Sequence, residues 1–143
     1  MTRVDFYLID SPEPGARDFA ICKLAHKVHA LGHRVYILTA DNAESRRLDD
    51  LLWTFAAGSF VPHALHDGGT PDPLTPVLIG ADAPPESHDD VLITTTPEVA
   101  ECFSRFKRVA EVVGGADDDK ARARDRFRHY RDRGYTLHTH NLS

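Results

Sequence analysis

Two cysteines, one methionine and one tryptophan among 143 residues leave several kinds of protein out at once. Cys22 and Cys102 cannot build a disulfide framework or a four-cysteine zinc site, which points to a reduced, cytoplasmic chain. No apolar run approaches the ~18 residues of a membrane span, so no membrane partner is expected. The opening nine residues have a short apolar stretch with Asp5 inside it, unlike a secretory leader. Phosphate-binding signatures are missing too: no glycine-rich loop ends in Lys-Ser or Lys-Thr, and no G-x-G-x-x-G follows the first apolar run. Where such a loop would offer backbone N–H groups, this chain has Asp10-Ser11-Pro12-Glu13-Pro14-Gly15. No G-x-S-x-G nucleophile elbow occurs either. No cofactor is expected.

What is present has the usage of a globular domain, 41% hydrophobic and 27% charged. Residues 4–9, 34–38, 77–79, 91–93 and 108–113 are short, apolar and β-branched, and read as buried strands. Between them lie helical patterns: residues 17–31, stopped by Gly32; a segment capped by Asp41 or Asn42 and running to Phe55; and a basic helix that starts at Asp117-Asp118-Asp119 and ends at Gly134. Thr96-Pro97-Glu98 has the pattern of a helix start, so a short helix to about Ser104 is expected. Residues 135–139 read as an extended end. Six of the nine prolines fall between Pro62 and Pro85, marking a loop-rich stretch. Continuously apolar strands alternating with helices imply a mostly parallel sheet of about five strands, covered on both faces. With no repeat and no linker, the expectation is one α/β domain over residues 1–143, Rossmann-like without the nucleotide-binding loop.

The usual chemistry-bearing residues suggest little. His26, His29 and His33 stand at i, i+3 and i+7, but Gly32 is expected to end the helix before His33. A solvated face is therefore the better reading. His63 and His66 fall in a loop without a zinc-like acid or cysteine pattern, and His138 and His140 lie near the chain end. Hence no metal site is expected. Asp49 and Asp50 are adjacent on a helix and diverge by about 100°, so they do not form an acid–base pair. Cys22 and Cys102 sit among apolar residues of helical segments and read as small buried hydrophobes.

Charge is where the chain is unusual. The net charge is −5, yet residues 120–135 hold seven bases against two acids, leaving 10 bases and 20 acids elsewhere. Lys120, Arg124, Phe127 and Arg131 fall at offsets 0, 4, 7 and 11, within about 60° of one another on a helix. Three cations around one aromatic suit a ligand with negative charges and an apolar side chain, such as an acidic peptide or a nucleic acid with a stacked base. Gly134-Tyr135 closes the helix and can tuck an aromatic back. A second feature is Leu51-Leu52-Trp53-Thr54-Phe55 followed by Ser59-Phe60-Val61-Pro62-His63. Trp53 and Phe60 are either core residues, which composition favours, or an anchor pair for a partner.

Taken together, Phe6-Tyr7-Leu8, Arg47-Leu48-Asp49 with Leu52-Trp53, the Ser-Phe-Val-Pro-His segment, and Ala123-Arg124-Asp125-Arg126-Phe127 through Tyr130-Arg131 and Gly134-Tyr135 resemble the chi subunit of the bacterial DNA polymerase III holoenzyme. The match runs over nearly the whole chain. The resemblance implies a non-catalytic clamp-loader accessory protein that binds the psi subunit. It also implies binding of the acidic tail of single-stranded-DNA-binding protein, which ends in proline, phenylalanine and a free carboxylate. Position by position, the tail site of that family falls on Val113, Lys120, Arg124, Phe127 and Thr139, and the psi surface on Trp53 and Phe60. This turns Phe60 toward the anchor reading and leaves Trp53 open. Phe127 stands where better-known members have tyrosine, and Gly114-Gly115-Ala116 replaces a more rigid proline-containing turn. Direct DNA binding is not expected. Two alternatives remain: binding of single-stranded nucleic acid by the basic helix, and a small α/β enzyme with an unrecognised site.

Overall fold

A computed structural model describes residues 2–56, 58, 60–72 and 74–142. In chain order the elements are β1 (Arg3–Ile9), α1 (Pro14–Ala30), β2 (Val35–Leu38), α2 (Asn42–Thr54), β3 (His63–Leu65), β4 (Val77–Gly80), β5 (Val91–Thr94), β6 (Arg108–Val113), α3 (Asp117–Asp132) and β7 (Thr136–Leu142). The strands form one sheet in the order β3-β4-β2-β5-β6-β1-β7, and all its pairings are parallel. Every residue of β2, β4 and β5 is buried, which is why these strands read as unbroken apolar runs. No helix among the described residues is long and apolar enough to cross a membrane.

The parallel sheet covered on both faces is as expected, with seven strands instead of about five. The two additional strands are its edges. β3 is three residues long and emerges from the proline-rich stretch; it takes in His63, in contrast to the expected loop. β7 mixes threonine, histidine and asparagine with two leucines and pairs with β1 over all seven positions. An edge strand has no need of an apolar run, so neither segment carries the buried-strand signal.

Local chemistry sets the helix ends. Asp41 caps α2, accepting the Glu44 N–H at 2.8 Å, while the Glu44 carboxylate accepts the Ala40 N–H at 3.1 Å. α1 has proline in its first turn and stops before Gly32, whose φ of +88° is open to glycine at little cost. The helix expected over residues 96–104 does not form; only a single 3₁₀ turn appears, at Phe103–Arg105. The Thr96 hydroxyl donates to the Glu98 carbonyl instead of capping, and the Pro97 carbonyl accepts from Arg126 at 3.0 Å. With both groups engaged elsewhere, the segment lies down as a loop and packs Ala100, Phe103 and Phe106 on the sheet.

Two apolar layers result. α1 and α2 pack Ile21, Leu48 and Leu52 against Val35, Ile37, Ile79 and Ile93. On the other face α3 packs Ala123 and Tyr130 against Phe6, Val109 and Val113. Into this second layer β6 introduces Glu111, which is fully buried. Arg126 Nε donates to it at 2.9 Å and the Tyr130 hydroxyl at 2.7 Å. Burial pushes the Glu111 carboxyl up, with the Arg126 charge and the two hydrogen bonds opposing. Burial beside Glu111 also pushes the Tyr130 hydroxyl well above its ordinary range, so it stays a donor.

Removing one partner of such a pair leaves a buried, uncompensated charge. Arg126→Met should therefore destabilise the fold by about 3–5 kcal/mol. The double variant Glu111→Leu/Arg126→Met should regain most of that loss, as read from urea unfolding of the three proteins.

Candidate functional site

Because Ala123, Arg126 and Tyr130 face the sheet, the rotation of α3 about its axis is set. Lys120, Arg124 and Phe127 then fall along the border between the helix and the β1–β7 end of the sheet. There they line a cleft of about 390 Å³ together with Phe6, Leu8, Val113, Thr139 and Asn141. All five residues expected in one site, Val113, Lys120, Arg124, Phe127 and Thr139, are in its wall. Phe127 is half-buried, its ring 5.4 Å from that of Phe6. The cleft therefore combines an apolar floor with two exposed cations.

Those cations differ from the other bases of α3. Arg122 pairs with Asp118 at 3.6 Å and Asp119 at 3.7 Å, Arg128 with Asp125, and Arg131 with Asp132 at 3.4 Å. Among the described residues no carboxylate forms an ion pair with Lys120 or Arg124. The basic stripe is thus narrower than its sequence. Arg126 is core, and Arg131 lies beyond the cleft with an acid beside it. Tyr135 does tuck back, 5.0 Å from the Phe103 ring.

The turn that leads into α3 comes close to the end of β1. The Gly115 N–H donates to the Ser11 carbonyl at 3.0 Å, and a Cβ on Gly115 would sit 2.6 Å from that same oxygen. Glycine is needed here for close approach, and the contact sets the mouth of the cleft next to Asp10.

At the opposite edge of the sheet, Trp53 and Phe60 are 55% and 59% exposed, with ring centroids 5.3 Å apart. The core assignment that composition favours is therefore wrong for both. α2 turns Leu48 and Leu52 inward and leaves Trp53 outside. Ser59, next to Phe60, lies outside the described residues. Trp53 rests 4.6 Å from the ring of buried His63, whose nitrogens meet the carbonyl oxygens of Val61 and Asp49 at 2.6 and 3.0 Å.

Cys22 is buried, and burial pushes its thiol up to about 12. Cys102 is only half-buried and lies in a turn, not a helix. Among the described residues no three histidine, cysteine, aspartate or glutamate side chains converge as metal ligands would. Another cavity, of about 310 Å³, lies at the carboxyl ends of the central strands, where α/β folds often bind ligands. Its charges are already matched, with Arg17 on Glu44 at 3.1 Å and on Asp119 at 3.6 Å.

The family model of the DNA polymerase III chi subunit, HolC, matches residues 1–138. The chain belongs to the DNA polymerase III chi subunit family. It is 43% identical over 142 residues to the DNA polymerase III subunit chi of Pseudomonas aeruginosa, covering 99% of this chain and 98% of that one. To the Escherichia coli K12 subunit chi it is 33% identical over 144 residues, 97% of each chain. The Haemophilus influenzae subunit chi is 30% identical over 122 residues, 85% of this chain and 84% of the other. A chi subunit is a non-catalytic accessory subunit of the replicative polymerase, so the small-enzyme alternative falls.

In this chi subunit the strand bearing Thr139 and Asn141 is tied down by Asp5, whose side chain is 1% exposed. Asp5 accepts from His140 on β7 at 2.8 Å, Arg108 on β6 at 2.9 Å and Arg3 at 3.1 Å. Burial alone would raise its carboxyl, but these donors hold it below the ordinary 3.8. A folded-state pKa lower than the unfolded one adds stability above pH 3.8 that is lost as pH falls through the lowered value. Asp5→Asn should therefore lose most relative to wild type near neutral pH. The gap should shrink below pH 3.8, as measured by thermal unfolding across pH.

Proposed function

We propose that this chi subunit is an adaptor. Its α3 cleft takes the acidic C-terminal tail of single-stranded-DNA-binding protein, and its Trp53–Phe60 surface docks the psi subunit, which joins it to the clamp loader. Psi is the partner wherever the genome encodes it, and the work is done in the cytoplasm. The reading is carried by the cleft: five residues from β6, α3 and β7 meet there, with two cations that have no carboxylate partner among the described residues above an apolar floor. Lys120 and Arg124 meet the carboxylates of the tail, including the terminal one. Phe127 and Val113 enclose the terminal phenylalanine. Phe127 lacks the hydroxyl of the tyrosine found in better-known members, so its contribution is apolar contact alone.

The layout of the sheet also supports an adaptor. The two surfaces lie near opposite edges, six strand spacings apart, or roughly 29 Å. Two partners can therefore sit on them at once. Nucleic acid is the weaker occupant of the cleft, because Arg122, Arg128 and Arg131 are partnered by acids and Arg126 is buried. Few bases remain to neutralise a run of phosphates.

Calorimetric titration with a synthetic acidic nonapeptide ending in Pro-Phe tests the reading. Binding should be saturable, weaken with added salt, and disappear for a peptide lacking only the phenylalanine. Arg124→Ala should cost about 1–3 kcal/mol through a lost charge-assisted hydrogen bond. Equal binding of both peptides, or of an oligonucleotide in their place, would overturn it.

A further inference from the structure

The two edges of the sheet are protected differently. β3 is three residues long and preceded by Pro62. β7 is seven residues long, contains no proline, lysine or acid, and stays in unbroken register with β1 from Thr136 to Leu142. Among the described residues no strand pairs with its other side. Proteins usually blunt such an edge with a proline, a lysine, a bulge or a covering element, because its free N–H and C=O groups invite another strand. β7 has none of these.

A groove opens on each face of this edge. On the α3 face, Thr139 and Asn141 line the cleft that holds Lys120 and Arg124. On the α1 face, Leu142 lines a larger groove of about 800 Å³ with Tyr7, Phe19, Lys23 and Lys27. The grooves share Ile9, Asp10 and Asn141, so they meet at the carboxyl end of β1 and β7. Lys23 and Lys27 are exposed, and among the described residues neither forms an ion pair; Lys23 sits 5.7 Å above the Phe19 ring. Among the described residues, four cations thus border the two grooves, against one carboxylate, Asp10.

We propose that the free edge of β7 accepts the acidic residues upstream of the terminal phenylalanine as an added strand. Their alternate side chains turn toward Lys120 and Arg124 on one face and toward Lys23 and Lys27 on the other. The inference rests on the tail reading of the α3 cleft and extends it to a second cationic groove. Side chains of a strand alternate between faces. Consecutive acids in an extended peptide therefore need cations on both sides of the sheet, and this edge supplies them. The backbone bonds give affinity independent of side chains, and the two grooves select the charge.

The test is an N-methyl scan of a synthetic acidic dodecapeptide ending in Pro-Phe, titrated against the full chain. An added strand points every second N–H at β7. Methylation should therefore weaken binding by about tenfold or more at alternate upstream positions and hardly at all between them. The double variant Lys23→Glu/Lys27→Glu, altered only at exposed positions, should bind the dodecapeptide severalfold more weakly. It should bind a tetrapeptide ending in Pro-Phe as well as wild type does. A flat scan, or equal loss at every position, overturns strand addition; if the phenylalanine is still required, the cleft reading survives. Full binding without the phenylalanine removes both.

Discussion

Glu111 lies fully buried on a sheet face otherwise lined by Phe6, Leu92, Val109 and Val113, and a carboxylate is tolerable there only if a cation and a donor are brought to it. α3 brings both, Arg126 and Tyr130, four residues apart and so on one side of the helix. An apolar contact alone would let the helix rotate or slide with little penalty. Two directed bonds to one carboxylate do not. With those residues turned inward, Lys120, Arg124 and Phe127 can only border the gap between the helix and the end of the sheet. The Pro97 carbonyl accepts from the same Arg126, so this network also helps hold the β5–β6 loop that covers the rest of that face.

From that constraint follows an economy of charge. α3 is rich in bases, yet its acids and Glu111 occupy all those away from the cleft that could compete for an anion nearby. Lys120 and Arg124 are left in the cleft, and Lys23 and Lys27 across the edge strand from them. Arg46, Arg105 and Arg133 are also exposed without an ion pair among the described residues, but the four cations at the end of β1 and β7 border adjoining grooves, and a body with excess acid would draw an acidic peptide there. The Trp53–Phe60 surface lies at the far edge, outside this field, and is aromatic, not charged. On the adaptor reading proposed above, two partners of different chemistry would be kept apart by the width of the sheet.

Much of this was legible in the residues. The buried strands were visible because central parallel strands are apolar on both faces. The helix ends at Gly32 and Gly134 and a cap at Asp41 or Asn42 follow from local chemistry alone; the structure uses Asp41. The stripe of Lys120, Arg124, Phe127 and Arg131 was legible because helical spacing is regular, although only its first three residues line the cleft. What escaped had tertiary causes. β7 and β3 are edges, whose half-exposed sequences lack the buried-strand pattern. The start signal at Thr96-Pro97 lost to Arg126, which captured a carbonyl the helix needed. Arg126 itself looked like one more surface base. The clue to its role was available, since a single acid inside Val109-Ala110-Glu111-Val112-Val113 must find a buried partner, and the following helix is the nearest source of one. For Trp53 composition favoured core and the resemblance left the choice open. Only the placement of α2, with Leu48 and Leu52 inward, shows it outside.

The most direct test of the account is a map of where the acidic peptide lands. Backbone and indole N–H signals of the labelled chain would be followed by heteronuclear NMR as a Pro-Phe-ended acidic peptide is added. Shifts should concentrate at Val113 and Gly114, along Lys120 to Phe127, and at Thr139 to Asn141, with the Trp53 indole unmoved. Shifts centred on Trp53 and Phe60 with α3 silent would contradict it.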